Sequence, residues 1–234
     1  MKVLILAGGY GTRISEETSD KPKPMVSIGS KPILWHIMNT FAGQGYSDFI
    51  VATGYKAEVI EKWVAGLSTE WHIEVFNTGL DTQTGGRIAR VFNSTSEERL
   101  IVTYGDGLAN VDINKLVDFH LHQGRLATVT AVHPPARFGV LESQNGLVTS
   151  FGEKSQAMAG WINGGYFVLE RDTIEYIDSD DCSFEFTSLP KLVELNELSA
   201  FNHEGFWQPM DTLREKNDLA KLAEQQDPPW LKLN

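Results

Sequence analysis

The sequence predicts an α/β fold in which helices flank a mostly parallel sheet. Three observations carry this. Short apolar runs alternate with segments of helical periodicity through the first two thirds of the chain, the pattern of right-handed βαβ units. The first run, Lys2 to Leu6, is continuously apolar, which suits a strand covered on both faces. The length, 234 residues, is that of one ordinary α/β domain, with at most a small appendage.

The elements follow in order. After the first strand comes a glycine-rich turn, Gly8 to Arg13, and then the proline-spaced stretch Lys21-Pro22-Lys23-Pro24, which is expected to stay extended. Ile33, Leu34, Ile37, Met38 and Phe41 fall on one helix face, with Pro32 tolerable at its start. Asp48 to Thr53 reads as a strand, Ala57 to Val64 as a helix and Trp71 to Phe76 as a strand. A helix over Gly86 to Phe92 and a strand over Leu100 to Tyr104 come next, then a helix over Asn114 to His122 and a strand over Leu126 to His133. Beyond Pro134-Pro135 short extended pieces dominate: Gly139 to Leu141, Leu147 to Phe151 and Ile162 to Leu169. The end is helical from Thr212 to Glu224. The expectation is one domain over 1–234, with a soft boundary near residue 110 between a first half (1–110) and a second half (111–234).

Composition excludes several classes. The chain is 41% hydrophobic and 22% charged, globular values that leave no room for disorder or fibrous repeats. The net charge of −11 argues against a nucleic-acid backbone or an anionic membrane as the partner. It leaves room for a nucleotide held by a few local cations. The single Cys182 excludes a disulfide framework and a cysteine zinc site. No apolar stretch approaches the ~18–20 residues of a membrane span. The N-terminal run is too short for a signal peptide, so a soluble, cytoplasmic protein is expected.

The motif with most chemistry is Leu6-Ala7-Gly8-Gly9-Tyr10-Gly11-Thr12-Arg13, directly after a strand. Glycines let backbone N–H groups form a concavity for anions. The spacing is not the dinucleotide fingerprint, and Gly-Lys-Ser/Thr of a P-loop is absent; a plain strand-to-loop turn is the alternative. Arg13 and Lys23 supply cations beside the loop, and prolines on either side of Lys23 limit where its ammonium can go. Asp106, in Tyr104-Gly105-Asp106-Gly107, ends a strand, where ligands of parallel sheets sit, and can ligate Mg²⁺; a turn cap is the alternative. Asp211 supplies a second carboxylate, or caps the following helix. Asn163-Gly164-Gly165 offers an amide suited to sugar hydroxyls and glycines that permit close approach of a ring, or is a simple turn. His120 and His122, two apart, point in different directions on one helix, so no zinc site is expected.

These pieces resemble the nucleotidyltransferases that make nucleoside-diphosphate sugars. The likeness is strongest to the branch that transfers cytidylyl groups to glucose 1-phosphate. The similar stretches run from Ser15-Glu16-Glu17-Thr18 through Met25, Lys31 to Met38, Thr82 to Arg87, Thr103 to Gly107, Trp161 to Gly165 and Gly205 to Arg214. The resemblance implies a Rossmann-like nucleotidyltransferase fold with a mixed sheet, Mg²⁺ as cofactor, a homo-oligomer, and no nucleic-acid or membrane partner. It implies that CTP and α-D-glucose 1-phosphate give CDP-glucose and pyrophosphate, for surface polysaccharide biosynthesis. Leu6, Ala7, Gly8, Gly9, Tyr10, Gly11, Thr12 and Arg13, with Lys23, Thr82, Arg87 and Gly105, are expected to hold the nucleotide. Arg13, Lys23 and Asp106 are expected to be catalytic, and Asp106 and Asp211 to bind the metal. Glu153, Lys154, Asn163 and Gly164 are expected to hold the acceptor. The chain departs from the family in a short Val64 to Gly79 segment, which bears on assembly. It also carries Ser155 where Glu-Lys is usually followed by proline, which bears on the acceptor, phosphoglutamine being the alternative; a different base is the other. The rival classes are a nicotinamide oxidoreductase, favoured only by the glycine loop, and a catalytically silent nucleotide-sugar sensor, which would have lost a cation or carboxylate.

Overall fold

A computed structural model of the chain describes residues 1–135, 139–153 and 160–233. The centre is a seven-stranded sheet. With strands numbered along the chain, its members are β1 (Lys2–Leu6), β4 (Asp48–Thr53), β5 (His72–Asn77), β6 (Arg99–Tyr104), β8 (Ala127–Val132), β11 (Ile162–Glu170) and β12 (Leu198–His203). Their spatial order is β12-β8-β11-β6-β1-β4-β5. β1 lies between β4 and β6, parallel to both, and Val3, Leu4 and Ile5 are fully buried, which accounts for its uninterrupted apolar sequence.

Alternate residues of β1 serve the two faces. Val3 and Ile5 pack with α2 (Ile33–Ala42), with Ile60 of α3 (Ala57–Ala65) and with Leu116 of α5 (Ile113–Gln123); Leu219 of α7 (Leu213–Ala223) belongs to the same cluster. Leu4 and Leu6 pack on the other face with Ile88, Val91 and Phe92 of α4 (Thr84–Ser94) and Leu192 of α6 (Leu189–Glu194).

β11 alone runs against the rest, antiparallel to both β6 and β8, while β8 and β12 are parallel. The carboxyl ends of β1, β6 and β8 therefore share one edge of the sheet with the amino end of β11. Because β11 from the second half pairs with β6 from the first, residues on both sides of position 110 share this sheet.

Small ribbons complete the edge: β2 (Ser27–Ile28) with β3 (Lys31–Pro32), β7 (Gly107–Ala109) with β13 (Trp207–Pro209), and β9 (Gly139–Gln144) with β10 (Leu147–Glu153). Three elements differ from expectation. Pro22 is extended, but Lys23–Met25 closes a 3₁₀ turn, with Met25 N–H donating to the Pro22 carbonyl at 2.9 Å. β12 and α6 have no counterpart in the sequence reading. β12 is an edge strand with a mixed, half-buried pattern, and α6 is only six residues long.

Candidate active site

The carboxyl edge of the sheet opens into a cavity of about 1080 Å³. Its walls are the glycine loop after β1, residues 80–83 with Thr84 at the start of α4, the Tyr104–Gly107 corner, the first residues of β11 and the segment that ends at Asp211. Every nucleotide-binding and metal candidate named above lines it, as do Asn163 and Gly164.

The loop from Gly8 is held open from beneath by Arg87. That side chain is buried, at 4% exposure, and its guanidinium donates to five protein acceptors: the carbonyls of Gly8, Thr53, Gly79 and Leu80 and the Thr78 hydroxyl. Burial lowers its pKa below the usual guanidinium value, though arginine keeps its charge in proteins. With both Nη groups so occupied, Arg87 shapes this wall of the cavity. Gly8 is required by the same packing, since a Cβ there would lie 2.1 Å from Arg87 Nη1. Above this base, and among the described residues, the amides of Gly9, Tyr10 and Gly11 donate to no protein carbonyl. They are the amides that the glycine spacing predicts to be available to an anion. The Tyr10 hydroxyl donates to Asp81 Oδ1 at 2.9 Å, joining this loop to the 80–84 wall. That hydrogen bond raises the phenol's pKa.

The cation and carboxylate candidates converge. Lys23 Nζ lies 2.7 Å from both Asp106 Oδ2 and Asp211 Oδ1, and Arg13 Nη1 lies 2.5 Å from Asp211 Oδ2. The β7–β13 ribbon brings the aspartates together: Pro209 pairs with Gly107, and Met210 N–H donates to the Asp106 carbonyl at 2.8 Å. Asp211 is not the cap of α7. Thr212 takes that place in a capping box with Glu215, whose carboxylate also accepts the Asp211 N–H at 2.8 Å. The Asp211 side chain is thereby released toward the cavity.

The opposite wall centres on Tyr104. Its hydroxyl donates to Glu185 Oε1 at 2.5 Å and accepts from Asn163 Nδ2 at 3.3 Å. Burial and the adjacent Glu185 carboxylate push its pKa well up, so it is a donor at neutral pH. Asn163 Oδ1 in turn accepts the Gly165 N–H at 2.8 Å. The ring that the glycine pair admits belongs to the protein: Gly165 has φ +78°, and a Cβ there would sit 2.5 Å from Tyr104 Cδ2. Glu153 ends the backbone of β10. Lys154 and Ser155 lie outside the described residues.

Sequence reasoning missed Glu185, Thr84 and Asp81. Glu185 and Asp81 belong to no motif, and Thr84 stood inside the Thr82 to Arg87 stretch without a role; each joins the site through contacts distant in sequence. Tyr104 and Trp207 stood inside noted stretches without a role; Trp207 Nε1 donates to the Gly164 carbonyl at 2.7 Å. His120 is buried against Thr128 and Glu170, whereas His122 is exposed. No group of three or more His, Cys, Asp or Glu residues suited to a metal occurs among the described residues. No helix among them is long and apolar enough to cross a membrane.

A glycine cradle, two cations and two carboxylates at the carboxyl edge of such a sheet define a nucleotidyl-transferring enzyme. Residues 2–214 match the nucleotidyl transferase family, and the chain belongs to it. It is 45% identical over 253 aligned residues to the glucose-1-phosphate cytidylyltransferase of Salmonella typhi, covering 98% of each chain. That alignment is longer than this chain, so the relative carries insertions. A probable glucose-1-phosphate cytidylyltransferase of Bacillus subtilis (strain 168) is 37% identical over 252 residues, covering 98% of this chain and 99% of its own. Among solved structures, HddC from Yersinia pseudotuberculosis complexed with GMP-PN superposes with a TM-score of 0.77 at 27% identity, covering 95% of this chain and 99% of that one.

Proposed function

We propose that the chain, acting as one domain over 1–234, transfers a cytidylyl group from CTP to α-D-glucose 1-phosphate. An oxygen of the sugar phosphate attacks the α-phosphorus of CTP; the bond to the β-phosphate breaks, giving CDP-glucose and pyrophosphate. The observation that carries this reading is the meeting of Lys23, Arg13, Asp106 and Asp211 beside the glycine cradle. The choice of CTP and glucose 1-phosphate is supported by the likeness to the Salmonella enzyme over nearly the whole chain.

The chemistry asks little of the protein beyond position and charge. A phosphate monoester has its second pKa at ~6 and is already a dianionic nucleophile near neutral pH. No general base is then required, in keeping with a cavity whose lining, among the described residues, holds no Ser-His-Asp or Cys-His arrangement. The amides of Gly9, Tyr10 and Gly11 orient the nucleotide phosphates. Arg13 and Lys23 neutralise charge that grows on the phosphoryl oxygens and on the departing pyrophosphate. Asn163 and Gly164 hold the sugar on the opposite wall, and the family likeness adds Glu153 and Lys154 to the acceptor contacts.

The residues present fit Mg²⁺. Asp106 and Asp211 set two carboxylates around one point, and Mg²⁺ is commonly held by one or two carboxylates together with waters and substrate phosphates. When bound there, Mg²⁺ supplies charge neutralisation for the reacting phosphates. In this reading Lys23 yields its carboxylate contacts to the metal and turns toward phosphate. The reading also includes a homo-oligomer in the cytoplasm, the compartment that supplies nucleoside triphosphates. Leu147 and Val148, exposed on the β9–β10 hairpin, suit a contact between subunits.

The test is a matrix of the four nucleoside triphosphates against several sugar 1-phosphates and phosphoglutamine, read by pyrophosphate release. CTP with glucose 1-phosphate should give the highest kcat/KM. Reaction with phosphoglutamine but not glucose 1-phosphate overturns the acceptor, and preference for another triphosphate overturns the base.

A further inference from the structure

Glu185 sits on the π-helical turn Phe184–Ser188, a type of turn often found at functional positions. Its carboxylate gathers hydroxyl groups from both sides of the cavity. Oε2 accepts from Thr84 Oγ1 at 2.6 Å and from Ser183 Oγ at 2.9 Å. Oε1 accepts from the Tyr104 hydroxyl at 2.5 Å, and that hydroxyl accepts from Asn163 Nδ2. Thr84 begins α4, directly after the wall formed by residues 80–83, and its hydroxyl also accepts the Phe184 N–H at 2.9 Å. A continuous hydrogen-bonded chain thus runs from the nucleotide wall through Glu185 and Tyr104 to the amide that faces the acceptor.

We infer that Glu185 is a positioning residue for the transfer. It fixes the direction of the Tyr104 hydroxyl and, through it, the Asn163 amide that binds the acceptor. The assignment rests on the reading of Asn163 as an acceptor contact. An ionised carboxylate accepts only, so Tyr104 must donate to it and is left with lone pairs for Asn163. That fixes which way the Asn163 amide faces: Oδ1 to the Gly165 N–H, Nδ2 to Tyr104, with the second Nδ2 hydrogen available to a sugar hydroxyl.

A glutamine at this position has one accepting atom and one donating atom. The accepting atom is required by Thr84 and Ser183, whose hydroxyls already serve as acceptors for the Phe184 and Phe186 amides. The glutamine NH₂ would therefore face Tyr104. The phenol hydrogen would then lose its acceptor, and two donors would share the phenol oxygen, so the direction of the Asn163 contact would no longer be fixed.

The experiment compares wild type, Glu185→Gln, Tyr104→Phe and the double variant by pyrophosphate release, with CTP and acceptor varied separately and thermal midpoints recorded. Glu185→Gln is expected to raise KM for the acceptor about tenfold, the scale of a lost charge-assisted hydrogen bond. KM for CTP should stay within twofold and kcat within threefold. Tyr104→Phe should do the same, and the double variant should be no worse than either single one, because both cut one chain. A purely structural role predicts instead a lowered midpoint, equal changes for both substrates and additive losses; that result overturns the inference, as does an unchanged acceptor KM. If Glu185→Gln does not fold, Tyr104→Phe decides alone by the same split. Wild type that turns over no acceptor of the matrix overturns the proposed function and the role of Glu185 with it. Active wild type with unaltered variants overturns Glu185 alone.

Discussion

Lys23 Nζ stands 2.7 Å from Oδ1 of Asp211, 188 positions further along the chain. The contact depends on two local devices. Pro22 and Pro24 hold the buried Lys23 on a 3₁₀ turn, and the capping box of α7 leaves the Asp211 carboxylate free of capping duty. The ammonium therefore sits at a fixed place beside the glycine cradle. If it acts on the transition state, Lys23→Ala should lower kcat and kcat/KM together by about 100-fold, with KM for CTP nearly unchanged. Lys21, two residues earlier and outside the cavity wall, should give a variant within about twofold of wild type. Steady-state kinetics on the pair would refute the assignment if the two alanine variants were equivalent.

Asp106 and Asp211 share the Lys23 ammonium, and on the proposed reading they share Mg²⁺. Asp106→Asn and Asp211→Asn should each reduce turnover at least ~100-fold, the scale of a lost charge-stabilising contact. EDTA should abolish wild-type activity, and added Mg²⁺ should restore it. Titration calorimetry of Mg²⁺ in the presence of CTP gives a second readout, in which each variant should bind the metal more weakly. Full activity of either variant in EDTA would remove both aspartates from the metal.

The fold was largely legible because its strands are buried on both faces and so read as unbroken apolar runs, as in β1, β4 and β6. The site was legible where one short segment carries the chemistry, as in Gly8 to Arg13 and Lys23. What the sequence hides is whatever depends on a distant partner. Whether Asp211 caps a helix or faces a cavity turns on Glu215 and on the β7–β13 pairing. The glycines at 164 and 165 read as space for a ligand ring, but Gly165 is filled by Tyr104, which reaches it because β11 runs antiparallel to β6. Arg87 reads as a ligand contact, and nothing in its local sequence shows that its Nη groups also reach carbonyls from three separate segments. Glu185 has no motif at all, and only the packing of the 184–188 turn against α4 shows what its carboxylate gathers.

The Arg87 finding makes a further prediction. Arg87→Lys keeps the charge but replaces a fork with a single ammonium of three donors, so at least two of the five acceptors lose their partner. The Gly8 and Thr53 carbonyls keep backbone donors in Tyr55 and Thr78, so the loss falls on the Gly79 and Leu80 carbonyls, at about 1–3 kcal/mol for a group left without a partner. The variant should melt at lower temperature and show a raised KM for CTP, with the acceptor KM unchanged. Gly8→Ala should behave in the same way, since its Cβ would displace the guanidinium. A lysine variant of native stability with weakened CTP binding would instead point to a direct contact between Arg87 and the nucleotide.

Acid stability offers a test away from the site. Burial lowers the pKa of His36, His120 and His203 below the ordinary 6.5. For His120 the nearby Glu170 opposes that shift and Arg99 adds to it. The unfolded chain therefore takes up protons near pH 6.5, while the folded chain keeps these rings neutral to lower pH. Stability rises with pH wherever the unfolded state binds more protons. The contribution of these groups is accordingly complete above about pH 7.5 and is lost as pH falls below about 6.5. The thermal midpoint should decline from pH 6.5 to 5.5, a window chosen to lie above the ordinary carboxylate range. His120→Gln is the sharpest probe, because an amide can still accept from Thr128 and donate to Glu170 but cannot titrate. That variant should start from a lower midpoint at pH 7.5 and lose less of it on acidification. A slope equal to that of wild type would show that His120 is not among the groups that set the acid limit.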